Sequence, residues 1–154
     1  MSSRRAEIAM TEHEVEAFLE SERVVTCATL GRDGWPHLMP LWYVVRDGEL
    51  WSWTYAKSQK VRNLERDARC TLQVETGEAY HELRGVMVRA EAVVHRDLEA
   101  VWRLGVAIAE RYGGAVLDEA ARAALRSQAA KRVALQFVAR STASWDHRKL
   151  GSGY

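Results

Sequence analysis

Residues 55–69, Tyr55-Ala56-Lys57-Ser58-Gln59-Lys60-Val61-Arg62-Asn63-Leu64-Glu65-Arg66-Asp67-Ala68-Arg69, decide the fold because two periodicities meet there. Just before them, Trp51-Ser52-Trp53-Thr54-Tyr55 alternates as a strand, with Trp51, Trp53 and Tyr55 on one face and Ser52 and Thr54 on the other. Just after, Ser58 can cap a helix running to about Asp67, whose apolar residues Val61, Leu64 and Ala68 share one side. The first turn of such a helix presents free backbone N–H groups, the positive end of the dipole, the Ser58 hydroxyl and the nearby Lys57 and Lys60. That is a ready anion site. The plainer alternative is a solvated face in which Lys60, Arg62 and Arg66 meet Glu65 and Asp67. Cations at the start of a helix oppose its dipole, however, and an anionic ligand removes the conflict.

Upstream, Thr11-Glu12-His13-Glu14 has the form of a capping box, and Val15, Phe18 and Leu19 supply the stripe of a first helix ending near Ser21. A β-branched run, Val24–Leu30, stops at the turn signal Gly31-Arg32-Asp33-Gly34. A second strand is expected from Pro36 to Val45, stopping at Asp47-Gly48, and a third from Leu50 to Tyr55. Downstream come strands at Arg69–Glu75 and Leu83–His95, then a helical stripe through Leu98, Val101, Trp102, Gly105, Ile108, Ala109 and Tyr112. An alanine-rich helix at about Asp118–Ala130, a last strand at Lys131–Arg140 and a tail from Trp145 into a glycine-rich end complete the chain. Antiparallel strands joined by short hairpins favour a closed or partly closed barrel, because closure removes exposed edges.

The 154 residues fit one domain, 1–154, with no repeat or linker. Lys+Arg 22 against Asp+Glu 21 gives a net charge of +1, so no global field draws the chain to nucleic acid or to an anionic membrane. Trp51, Trp53 and Tyr55 could stack bases, but the near-neutral charge weighs against it. Cys27 and Cys70 sit in apolar strand-like runs without metal-ligand spacing and read as buried free thiols of a reducing compartment. No segment approaches the length of a membrane span, and Glu7, Glu12, Glu14 and Glu16 stand where a signal peptide needs apolar residues; the expectation is a soluble cytoplasmic protein. There is no Walker or G-x-G-x-x-G sequence, His81-Glu82 lacks the second histidine of a zinc-protease motif, and no catalytic acid, base, nucleophile or metal set stands out.

Gly34-Trp35-Pro36-His37-Leu38-Met39-Pro40-Leu41-Trp42-Tyr43 followed by the K-x-x-K-x-R-N-L-x-R-D pattern of Lys57–Asp67 resembles the pyridoxamine 5'-phosphate oxidase-like split β-barrel family, and more narrowly its deazaflavin (coenzyme F420)-dependent oxidoreductase branch. The likeness runs from about Thr11 to Leu150, with 97–130 as a less diagnostic helical insertion. It implies a mainly β fold, a six- to seven-stranded antiparallel split barrel of the FMN-binding type, in a homodimer with flavin-type cofactors in grooves between the chains.

By that resemblance Lys57, Ser58 and Lys60 would hold the cofactor phosphate, Lys60 as an exposed cation that matters little to folding. The ring would lie along His37, Leu38, Met39, Pro40, Leu41 and Trp42 and against Trp53 and Thr54. Trp145 would flank the ring, with Arg148 and Lys149 meeting anionic substituents, unless the tail merely packs on the barrel. A symmetric partner is expected to cover Trp51, Trp53 and Tyr55. The cofactor is expected to be coenzyme F420 (an 8-hydroxy-5-deazaflavin) or FMN, and the activity hydride transfer to a small unsaturated or quinone-like substrate. The alternatives are an FMN-dependent oxidoreductase and a noncatalytic flavin or haem binder. The paired C-terminal pattern of true pyridoxamine phosphate oxidases is absent, which weighs against that specific reaction.

Overall fold

A computed structural model describes residues 3–151; residues 1–2 and 152–154, most of the glycine-rich end, lie outside the described residues. Both turn signals do what their chemistry requires. Gly34, at φ +84°, folds β1 (Val25–Leu30) against β2 (Pro36–Leu41), with Asp33 Oδ1 accepting from the Trp35 amide at 3.1 Å. Asp47 and Gly48 both take positive φ, 51° and 76°, the signature of a type I′ turn, and join β3 (Val44–Arg46) to β4 (Glu49–Tyr55). The capping box forms, with Thr11 and Glu14 bonded in both directions at the start of α2 (Glu12–Ser21), which follows the short α1 (Arg4–Glu7). Then come α3 (Gln59–Arg66), β5 (Arg69–Thr76), β6 (Arg84–His95), α4 (Leu98–Gly113), α5 (Glu119–Ala129) and β7 (Arg132–Asp146).

The strand expected over Pro36–Val45 is instead two strands broken at Trp42-Tyr43. Its halves pair with different neighbours, β2 with β1 and β3 with β4, and the sheet order is β2-β1-β5-β6-β7-β4-β3. The two ends of the order are thus joined by two residues of chain, so the antiparallel sheet must curl into a barrel that is split along this seam. The break has a local cause. The Tyr43 ring is fully buried, its hydroxyl donates to the Leu19 carbonyl at 2.6 Å, and its amide donates to the Tyr112 hydroxyl at 2.9 Å rather than to a strand. Burial pushes the Tyr43 phenol up to about 12. The last strand also differs from expectation, running on to Asp146 because residues 141–146 pair with Arg84–Arg89, past a register shift at Arg89/Ala90 that lets both strands bend. Trp145 therefore belongs to the barrel wall rather than to a tail.

Inside the barrel, Phe18 and Leu19 of α2 and Val61 and Leu64 of α3 close over Val25, Leu72, Val74, Val86, Leu135 and Phe137. A second cluster lies outside the wall, where Val101, Leu104 and Ile108 of α4 and Ala129 of α5 cover Val44, Ala134, Trp51 and Trp53. The chain's own helical insertion thus hides the Trp51 and Trp53 face assigned to a partner on sequence grounds; Tyr55 stays 58% exposed. Arg111 ties the insertion to the seam. It donates to the Leu19, Glu20 and Glu22 carbonyls at 3.1, 2.9 and 2.9 Å and to the Tyr43 carbonyl, so it also caps the end of α2.

Gly105 lets α4 approach closely, since a Cβ there would overlap the Trp53 ring, whereas one at Gly113 meets nothing within 4 Å. Although alanine is the better helix former by about 1 kcal/mol, Gly105→Ala is expected to destabilise the fold by about 1–3 kcal/mol in urea unfolding, the usual cost of overpacking. Gly113→Ala serves as the control and is expected to be neutral or mildly stabilising. Equal effects of the two would contradict the packing of α4 on Trp53.

Candidate functional site

Ser58 takes the extended N-cap conformation (φ −68°, ψ 155°) at the start of α3, yet its side chain makes no cap bond, and its Oγ is buried without a hydrogen-bond partner. The first turn holds no acidic residue. Leaving a buried hydroxyl unbonded costs about 1–3 kcal/mol, and the N–H groups beside it also lack a side-chain acceptor. Lys57, exposed, precedes this helix start. The position is fixed from below, because the Ser58 amide donates to the Tyr55 carbonyl at 3.0 Å and the Ala56 amide to the Lys131 carbonyl at 3.0 Å.

Lys60 departs from expectation. It is 6% exposed and donates from Nζ to the Thr54 hydroxyl at 3.0 Å. On α3 it shares the barrel-facing side with Val61, Asn63 and Leu64, so the strand that carries Thr54 receives it. Burial pushes its ammonium below the ordinary lysine range, with the neighbouring Cys27 sulfur opposing. Beside it, Asn63 donates to the Thr29 hydroxyl at 3.0 Å and accepts from Gln59 at 2.9 Å, so polar side chains line the underside of the helix. Thr29, Gln59 and Asn63 escaped the sequence reading; the asparagine inside K-x-R-N was the one visible signal.

His37 lies opposite Thr29 across the β1–β2 ladder, and its Nδ1 is buried without a partner. With Arg32, Asp33, Trp35, Gln59 and Asn63 it lines a cavity of about 480 Å³ between the turn and α3. Met39 and Leu41 follow on the same row as His37, opposite Cys27 and Val25, while Leu38 and Pro40 alternate to the other face beside Ala28 and Thr26; at this open edge Met39 stays exposed. Leu38, Met39 and Trp42 are exposed by 57%, 42% and 55%, a run of apolar surface along an edge strand whose outer backbone edge is unpaired. Trp42 stacks on Tyr112 at 4.4 Å and 9°. The fold therefore brings His37 to Trp42 and the start of α3 to one side of the barrel, with Thr54 reached through Lys60. Trp53 is turned away from them, under Gly105.

The other expected residues lie elsewhere in the chain. β7 pairs Arg132 with Tyr55 at one end and Trp145 with Gly85 at the other, about 40 Å along the strand. The Trp145 ring covers Gly85 and lines a cavity of about 420 Å³ with Arg5, Met87 and His147. Arg148 grips the buried Asp146 carboxylate at 2.6 Å, and Lys149 reaches the Ala9 carbonyl at 2.8 Å and Glu14 at 2.7 Å. Within the single chain, then, Trp145, Arg148 and Lys149 do not meet Ser58 or His37. Among the described residues no His, Cys, Asp or Glu group could hold a metal ion, and no helix is long and apolar enough to cross a membrane.

The depressed pKa of Lys60 has a definite sign. The folded chain holds this proton less tightly than the unfolded chain, so the penalty is full below the folded pKa and fades as pH rises through it. In urea unfolding between about pH 7 and about pH 10, wild type is expected to gain stability relative to Lys60→Met as the lysine loses its charge. A difference that stays constant with pH would place the ammonium in solvent.

A family model described as pyridoxamine 5'-phosphate oxidase matches residues 11–146. Among solved structures, a conserved hypothetical protein from Mycobacterium tuberculosis is 44% identical, with a TM-score of 0.91 over 99% of this chain and 95% of that one. An F420 reductase is similar at a TM-score of 0.67 and 21% identity, over 83% and 94% of the two chains. A heme storage protein from Vibrio cholerae gives 0.67 at 16%, over 86% and 94%. The last two share the fold. No curated protein matches the chain. On the match over residues 11–146 and the seven-stranded split barrel itself, the chain belongs to the pyridoxamine 5'-phosphate oxidase-like family of flavin-binding barrels.

Proposed function

We propose that the protein is a cytoplasmic oxidoreductase that transfers hydride between a reduced deazaflavin, coenzyme F420, and a small unsaturated or quinone-like substrate, with FMN the weaker cofactor. The observation that carries this reading is the buried, unbonded hydroxyl of Ser58 at a helix start without an acid. A phosphate there accepts from the hydroxyl and from the first-turn amides and answers the helix dipole, with Lys57 beside it. The residues present fit such a group. The ring system lies along the unpaired edge of β2, where backbone groups address its polar rim and His37 Nδ1 has a hydrogen bond still to make. When bound, the cofactor supplies the redox chemistry; the chain binds, orients and excludes water, so no side chain needs to act as catalyst. The deazaflavin preference rests on likeness to the deazaflavin-dependent branch of the family rather than on a discriminating residue.

The working unit is a homodimer. Thr26, Ala28 and Leu38 with Gln73, Thr71, Met87 and Ala143 form one continuous outer sheet face, bordered at its Met87–Ala143 end by Arg5 of α1 and by Ile8. A second copy on this face brings its Trp145 end to the β2 edge and makes one site from the two groups of residues that a single chain keeps apart.

Titration with coenzyme F420 or FMN is expected to change tryptophan fluorescence at micromolar concentration, through Trp35 and Trp42, with F420 the tighter ligand. Substrate reduction is expected only when the cofactor is supplied reduced. Ser58→Ala is expected to weaken both cofactors by about 1.5–3 kcal/mol, the scale for hydrogen bonds to charged groups, while the melting temperature of the cofactor-free protein stays the same or rises, because the hydroxyl caps nothing and its unbonded burial is itself a cost. A loss of about 1 kcal/mol of stability, as for an ordinary N-cap, with unchanged affinity would place the phosphate elsewhere. In analytical ultracentrifugation, cofactor is expected to raise the dimer fraction at low protein concentration. A monomer that binds stoichiometrically and stays monomeric would overturn the two-chain site.

A further inference from the structure

Several guanidinium groups lie over aromatic rings, and most of them are also bonded. Arg23 donates to the Arg111 carbonyl at 2.8 Å, Arg122 pairs with Glu110 at 3.8 Å, Arg126 with Glu99 at 2.8 Å, and Arg111 meets the carbonyls at the end of α2. Arg46, Arg84 and Arg132 are the exceptions, and Arg132 stands apart from the other two. Its guanidinium sits 4.4 Å from the centroids of both Trp53 and Tyr55, closer than Arg46 over Trp51 or Arg84 over Phe18 at 5.7 and 5.4 Å. Its Nε is buried without a partner, and among the described residues the guanidinium makes no hydrogen bond or ion pair. A guanidinium has five donors in a planar fork. Here contact with two rings restricts the guanidinium, so a ligand has less side-chain freedom to remove on binding.

Its place in the fold gives the vacant fork a role. Arg132 opens β7 opposite Tyr55, with its guanidinium over the Tyr55 ring, and the carbonyl of the preceding Lys131 accepts from the Ala56 amide, so the residue sits at the strand end from which the Ala56-Lys57-Ser58 turn departs. Lys57 and Lys131, the one in this turn and the other next to Arg132 in sequence, are both exposed. The β2 edge and His37 border the inner side of α3, whereas Arg132 lies on the outer wall of β4 and β7. A group reaching it leaves the phosphate subsite away from the ring.

We propose that Arg132 is a second oxyanion contact of the cofactor site, taking a carboxylate or phosphate attached beyond the phosphate held at Ser58. The proposal rests on the reading of Ser58 as the phosphate subsite. It also supplies a residue that discriminates between cofactors. A terminal phosphomonoester such as FMN has one anionic group and fills the Ser58 subsite alone; a phosphodiester that carries a further anion fills both.

The test compares Kd values for FMN, FAD and coenzyme F420 in wild type, Arg132→Gln and Ser58→Ala. Arg132→Gln is expected to weaken F420 by about tenfold or more while FMN stays within about twofold, the scale of one lost charged hydrogen bond. A parallel loss for FAD identifies a phosphate as an acceptable second group; a loss for F420 alone identifies a carboxylate. If Ser58→Ala weakens all three ligands and Arg132→Gln weakens none, or weakens all equally, the second contact is overturned and the phosphate reading stands. If Ser58→Ala weakens none, the phosphate reading falls and this proposal with it. Should Arg132→Gln melt early, Arg132→Lys keeps a cation over the rings without the fork. An unchanged ratio of F420 to FMN affinity in that variant also overturns the proposal.

Discussion

Because the two ends of the sheet order are halves of one chain segment, the barrel depends on the joint at Trp42-Tyr43 staying where it is. Burying a tyrosine ring there gains apolar stabilisation only if its hydroxyl finds an acceptor. The Leu19 carbonyl, at the end of α2, is that acceptor. The same few ångströms hold Arg111 and Tyr112, so the joint links α2, the seam and the helical insertion. These bonds are mostly from charged or phenolic donors to backbone carbonyls inside the protein, where an unmade bond is expensive. The joint therefore resists sliding, and with it the register of β2 against β1 is set.

From that register the site follows. β2 begins a sheet it cannot complete, which leaves one backbone edge free and aims His37 at α3. α3 is held down by Val61 and Leu64 in the core and by two polar contacts, Lys60 to Thr54 and Asn63 to Thr29. A helix anchored this way cannot turn its first residues toward a better acceptor, and Ser58 keeps its hydroxyl unbonded. What this helix start offers an anion is its dipole and the unbonded Ser58 hydroxyl, with Lys57 nearby. Lys60, the cation that first drew notice, works as an interior strut.

Much of this was legible in the residues. Gly31–Gly34 and Asp47-Gly48 dictate their turns, Thr11 and Glu14 their cap, and Trp51–Tyr55 its alternation, because each signal is local and its physics is complete within a few residues. The break at Trp42-Tyr43 was not legible, since an unbroken apolar run from Pro36 to Val45 carries no sign that its halves pair with different strands. Nor was the end of β7, where Ser141-Thr142-Ala143-Ser144 is too small and polar to read as strand and is held by pairing with β6. The burial of Lys60 was not legible because a lysine is ordinarily exposed; only the fold shows that α3 turns it inward. Gly105, a glycine inside a helical stripe, was a visible sign that something packs there, but not that the something is Trp53. The lone chain also separates Trp145, Arg148 and Lys149 from the rest, a separation that sequence spacing cannot measure.

The central claim is that the start of α3 holds the phosphate of a flavin-type cofactor. It is tested most directly by amide chemical shifts of nitrogen-15-labelled protein during titration with FMN and, in parallel, with riboflavin, which lacks the phosphate. The largest shifts are expected at the amides of Gln59, Lys60 and Val61 with FMN, and much smaller ones at the same amides with riboflavin. If these three amides stay in place while FMN shifts residues of the outer wall such as Thr71 and Arg89, the phosphate binds elsewhere and the claim is wrong.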